Sequence, residues 1–90
     1  MNIKRLQALR AVIELGSITE AALTLNMTQP GVSRHVSALE EDLGFLLFSR
    51  TKGRLQVTER GKAFFEAVEP LLIGLDKIPS IADEIRQHRH

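Results

Sequence analysis

The sequence predicts a mostly α-helical fold, with three short helices, a two-stranded hairpin and one long final helix. Three observations predict it. Apolar residues recur three and four apart over most of the chain, the repeat of one helix face. Residues that start or stop helices stand between these stretches, with Ser17, Thr28 and Thr58 ahead of them and Gly16, Asn26 and Gly44 behind. Only from Phe45 to Val57 does the pattern change to that of short strands. Ninety residues, 43% of them hydrophobic, suit one compact domain. With four Phe and no Trp or Tyr, its core must come from Leu, Ile, Val and Ala.

The first helix, between Asn2 and Leu15, repeats Leu6, Leu9, Val12, Ile13 and Leu15 at helical spacing, and Gly16 stops it. Ser17-Ile18-Thr19-Glu20 reads as a capping box that opens the second helix, in which Glu20 reaches back to Ser17. The small Ala21 and Ala22 let another helix cross at close range. Asn26 ends this helix in a left-handed turn, Met27 fills the gap, and Thr28 caps a third helix with Pro30 in its first turn. That helix buries Val32, Val36, Leu39 and Leu43 before Gly44. Its polar face begins with Gln29, Ser33, Arg34 and Ser37, and Glu40, Glu41 and Asp42 make its far end acidic. Leu46-Leu47-Phe48 and Leu55-Gln56-Val57 predict two strands around a basic turn, Arg50 to Arg54. Thr58 caps a last helix whose seam runs through Gly61, Phe64, Val68, Leu71, Leu75, Ile78, Ala82 and Ile85. A bend is expected near Pro70 and a break near Pro79.

Composition excludes several functions. Without Cys there are no disulfides, thiolate nucleophiles or Cys-based zinc sites. No Ser-His-carboxylate set, paired-carboxylate cleft or phosphate-binding glycine loop is visible, and His35, His88 and His90 have no metal-ligand spacing. No enzyme, metal or cofactor is therefore expected. The apolar runs are short and the start has no signal-peptide core, so a soluble cytoplasmic protein is expected, without a membrane. Residues 1–62 carry nine Lys or Arg against six Asp or Glu, and residues 63–90 three against five. That asymmetry fits a front half facing a polyanion and a rear half facing protein.

The stretches Gly16 to Ala22, Thr28 to Arg34, Leu39 to Gly44, Leu47 to Arg50 and Leu55 to Gly61 together resemble the LysR-type transcriptional regulators. The resemblance covers roughly the first 65 residues. It implies a winged helix-turn-helix in residues 1–58 and a linker helix for dimerisation, with a tail, in residues 59–90. It further implies a homodimer that binds an interrupted inverted repeat in double-stranded promoter DNA. A tetramer of the full-length protein and contact with RNA polymerase are compatible with it. Such regulators are about three times longer, with an effector domain after the linker helix, so a truncated chain with a disordered tail, Arg86 to His90, is expected.

In that family the positions of Gln29, Pro30, Ser33 and Arg34 approach base edges in the major groove, and basic wing residues approach the minor groove. Arg34 can pair with guanine and Gln29 with adenine, each by two hydrogen bonds. On an isolated helix such a face is usually only solvated; a capped helix-turn-helix favours recognition. Ser17, Thr19, Thr28 and Ser33 can donate to phosphate, and for Ser17 and Thr28 helix capping is an equal explanation. Arg50, Lys52 and Arg54 are the wing cations. Arg54 is favoured by its place at the turn's exit, while Arg50 has the alternative of pairing with a carboxylate. Phe64, Val68, Leu71, Leu75 and Ile78 form the dimerisation seam, of which Phe64 and Val68, with Phe65 beside them, also lie near enough to pack on the domain. The resemblance departs at Ile18, Gly31 and His35, where Phe, Ala or Pro, and Gln are common. A protein-interaction module and a winged helix that binds DNA without sequence preference remain alternatives.

Overall fold

The computed structural model describes residues 1–88. In chain order these form α1 (Ile3–Leu15), α2 (Ile18–Leu25), α3 (Gln29–Leu43), β1 (Phe48–Thr51), β2 (Arg54–Val57), α4 (Glu59–Asp76) and α5 (Ile78–His88). The helix boundaries follow local chemistry. The side chains of Asn2, Ser17, Thr28 and Thr58 each accept from the amide three residues on, at 2.9, 3.2, 3.1 and 2.9 Å. Gly16, Asn26 and Gly44 close α1, α2 and α3 with φ of 70°, 56° and 79°. The capping box is half made, because among the described residues the Glu20 carboxylate makes no return bond to Ser17.

Two apolar clusters hold these elements. In the first, Ala8, Ala11, Ala21 and Ala22 let α1, α2 and α3 cross closely around Val12, Val32 and Val36. The second joins Leu9 and Leu39 to Leu47, Phe65 and Leu72, and thereby seats α4 against α1 and α3. Phe45 and Phe64 meet edge to face, their ring centres 6.2 Å apart, at its margin. Leu43 is half-buried, and Leu15 is exposed where the helical repeat places it on the core face.

The hairpin differs from its expected form. β1 starts at Phe48, two residues later than the pattern suggests, because Leu47 turns fully into the core while Leu46 stays in solvent. Glu40 accounts for this: its carboxylate accepts from the amides of Leu47 and Phe48, at 2.7 and 3.3 Å, and so satisfies them without a strand partner. The turn is also tighter than five residues. Lys52 and Gly53 have φ of 53° and 75°, and pairing runs from Phe48 with Val57 to Thr51 with Arg54. Arg50 and Arg54 therefore stand on strands.

The last helix passes through Pro70 without interruption. The proline removes one amide, but Glu66, whose carbonyl would have received it, is exposed and free to be hydrated. The break comes at Lys77, and Pro79 lies in the opening turn of α5, where its missing N–H is not needed. Helix α5 continues to His88, so the part of the tail from Arg86 to His88 is helical; Arg89 and His90 lie outside the described residues. Beyond Leu72 the apolar residues are uncovered, and the molecule measures 57 × 25 × 19 Å.

Candidate nucleic-acid interface

The N-terminal half of α3 exposes one side to solvent. Val32, Val36 and Leu39 anchor the helix, so helical geometry turns Pro30, Arg34, Ser37 and Glu41 outward along one ridge. Gln29, Pro30 and Arg34 are exposed and Ser33 is half-buried. Ser17, Thr19, Gln29, Pro30, Ser33 and Arg50 line one open cleft of about 480 Å³. On the other flank, Thr28, Ser33 and Arg34 share a groove of about 880 Å³ with Ser37 and Glu41. The fold thus gathers the base-reading candidates with Ser17, Thr19, Thr28 and Arg50 around the start of α3.

The two capping hydroxyls keep chemistry to spare. Ser17 and Thr28 each use an oxygen lone pair to accept an amide, which leaves the O–H proton free to donate outward. Each also stands at a helix N-terminus, where the dipole favours an anion. Capping and phosphate contact are therefore compatible in one side chain.

Register sets the wing cations on different faces. Arg50 opposes Leu55, and Thr51 opposes Arg54, so Arg50 and Arg54 lie on opposite hairpin faces. Arg50 shares its face with Phe48 and Leu55, which pack against the core, and it lines the cleft beside Gln29. Arg54, expected to be the better placed, is on the far face, and Lys52 is at the tip. Among the described residues, Arg34, Arg50, Lys52 and Arg54 make no ion pair. By contrast, Arg5 binds Asp42 at 2.8 Å and Arg10 binds Asp76 at 2.9 Å. Arg5 and Arg10 are thus neutralised, whereas the cations of α3 and the wing remain available to a polyanion.

Lys52 is a non-glycine residue in a left-handed turn position, a conformation that costs L-residues roughly 1–2 kcal/mol. Asparagine tolerates it better. Lys52→Asn is expected to raise stability by about 0.5 kcal/mol while weakening DNA binding through the lost charge. Thermal melts and a binding titration on the same sample check both signs.

The acidic end of α3 is occupied structurally. Glu40 holds the start of the hairpin, and Asp42 pairs with the Met1 amino group at 3.2 Å and with Arg5. The N-terminal ammonium, and then Arg5, hold the Asp42 carboxyl below its ordinary value. A carboxyl depressed on folding adds stability above its unfolded pKa and loses it as pH falls through the folded one. Asp42→Asn is therefore expected to flatten the acid limb of the melting temperature against pH and to leave its shape near neutrality unchanged. Neither role is visible in the sequence, because each pairs residues that only the fold brings together. Ser37, which lines the same groove as Arg34, joins the site; its place on the polar face of the third helix is its sequence signal.

The seam residues divide. Phe64 and Val68 are half-buried against the domain, with Phe65 and Leu72 beneath them, whereas Leu71, Leu75 and Ile78 are 69%, 38% and 55% exposed. Among the described residues, no helix is long and apolar enough to cross a membrane.

Residues 3–62 match the family described as bacterial regulatory helix-turn-helix protein, lysR family. The transcriptional activator protein LysR of Escherichia coli is 40% identical over 99% of this chain and 29% of its own length. The HTH-type transcriptional regulator DgcR of a Pseudoalteromonas species is 37% identical over 97% of the chain and 30% of its own. The chain thus spans under a third of these relatives. Among solved structures, the BenM_DBD/benA site 1 DNA complex superposes with a TM-score of 0.85 at 34% identity, covering 96% of this chain and 97% of that one. The CbnR_DBD-DNA complex gives 0.78 at 31% identity, covering both chains completely.

Proposed function

Because the chain belongs to the lysR family of bacterial regulatory helix-turn-helix proteins, we propose that it is the operator-reading part of a dimeric transcription regulator. The observation that carries this reading is the gathering of exposed Gln29, Pro30 and Arg34 with the unpaired wing cation Arg50 around one helix start. Two similar domains solved as DNA complexes support it.

Residues 1–58 read DNA and residues 59–90 pair two copies. Helix α3 enters a major groove with Gln29 and Arg34 foremost. Ser17, Thr19, Thr28 and Ser33 donate to phosphates, which sets register without encoding sequence. Arg50, Lys52 and Arg54 carry positive charge to the adjoining minor groove, where narrowed A·T tracts strengthen the attraction. Leu71, Leu75 and Ile78 are covered by a second copy, with Phe64 and Val68 at the seam's inner end. Two-fold pairing matches an inverted repeat, and each half-site contact raises the effective concentration of the other. The setting is the bacterial cytoplasm, and the reading assigns no catalysis. Tetramers and contact with RNA polymerase belong to the whole regulator.

Selection from random duplex DNA at two salt concentrations tests the reading. Phosphate attraction weakens steeply with salt, whereas base preference persists. An enriched inverted repeat is expected; salt-sensitive binding without enrichment means an architectural protein, and no binding means a protein-interaction module. Leu71→Asp is expected to shift the protein from dimer to monomer by light scattering, since it places a charge in an apolar seam. Unchanged dimers would reject that seam.

A further inference from the structure

Lys4, Gln7 and His35 edge a pocket of about 310 Å³ between α1 and α3, floored by Leu25 and Met27. All three polar side chains can donate hydrogen bonds, and no carboxylate lines the pocket. Lys4 makes no ion pair among the described residues, whereas its neighbour Arg5 is held by Asp42, which the Met1 amino group also binds. The pocket is continuous with the interface, because His35 also lines the groove that holds Thr28 and Arg34. It lies on the flank of α3 facing α1; Ser33 and Arg50 border the opposite flank, toward the wing.

A helix about 10–12 Å across fills a major groove of roughly 12 Å, so phosphates run along both of its sides. The wing supplies cations on one side only. We infer that Lys4, Gln7 and His35 form a second phosphate contact on the other wall of the groove, gripping the DNA backbone opposite the wing. This rests on the DNA-binding reading above. Other charged groups near His35 are Arg34 beside it on α3, and Arg5 and Glu41 in the shared groove.

The test is a salt titration of binding to a mixed-sequence duplex, with wild type, Lys4→Ala, Lys4→Arg and, as a remote control, Lys77→Ala. Each cation on a phosphate adds about 0.9 to the slope of log affinity against log salt. Lys4→Ala is therefore expected to lose about threefold less affinity than wild type over a fourfold rise in salt, equally on any sequence. Lys4→Arg should restore the wild-type slope, and Lys77→Ala should keep it. Lys4 is exposed, so equal melting temperatures will show that folding is intact. A wild-type slope in Lys4→Ala overturns the inference and leaves the functional reading standing. Resonances of Lys4 and His35 that shift with inorganic phosphate, alongside that unchanged slope, make the pocket a free-anion site instead. A wild-type protein that binds no DNA ends both, and is recognised because every variant is then silent.

Discussion

Replacing Gly61 with alanine is expected to destabilise the protein by about 2 kcal/mol, while the same replacement at Gly74, one helix with it, is expected to stabilise by up to ~1 kcal/mol. Both glycines lie inside α4, where alanine has the better intrinsic propensity by about 1 kcal/mol. Space separates them. A Cβ on Gly74 meets nothing within 4 Å, but one on Gly61 would stand 2.5 Å from the Leu47 carbonyl oxygen and 3.0 Å from its Cα. Those are backbone atoms, and they cannot easily yield. The Leu47 side chain is fully buried, its amide donates to Glu40 at 2.7 Å, and its carbonyl accepts from the Thr58 amide at 2.9 Å. Overpacking of this kind typically costs roughly 1–3 kcal/mol and occasionally more, which outweighs the propensity gain. For a domain of this size each kcal/mol moves the melting temperature by about 4–8 °C, so the two variants should fall well to either side of wild type. Melts must be compared at one protein concentration, since association also raises apparent stability. A Gly61→Ala protein that melts at or above wild type would show that α4 does not approach Leu47 so closely.

Arg34→Ala is expected to cost about 1–3 kcal/mol on the selected operator, roughly 5- to 150-fold in affinity, and to relax discrimination. The guanidinium is exposed on the outward ridge of α3 and makes no ion pair among the described residues, so its removal leaves the fold intact. Lys52→Asn is the contrasting control, because loss of a tip cation that acts by its charge, without pairing to a base edge, should weaken operator and random DNA alike. The quantity to measure is the ratio of operator to random affinity for each variant. If Arg34→Ala leaves that ratio unchanged, Arg34 contacts backbone and bases are read elsewhere on α3.

Much of the site was legible because its signals are local. Ser17, Thr28 and Thr58 cap helices through amides three residues away, and Asn26 takes its left-handed turn without distant help. Those signals locate the turn and the start of α3, and with them Gln29 and Arg34. The wing was less legible. A pattern of apolar residues cannot tell a strand from a segment pulled into the core, and Leu47 is pulled in by Glu40 and roofed by Gly61. Which of Arg50 and Arg54 faces the cleft is not legible in the sequence, because strand register assigns faces and a shift of one residue exchanges them.

The sequence by itself determined the order and type of the elements, the helix ends and the family resemblance, since these depend on neighbours within one or two turns. Only the tertiary structure decided which face of the hairpin meets α3, that Leu72 packs inward while Leu71 stays in solvent, and that Asp42 and Asp76 hold Arg5 and Arg10. Those are contacts between residues far apart in the chain. Their partners are selected by the packing of α1, α3 and α4 as solids, and no local pattern encodes that.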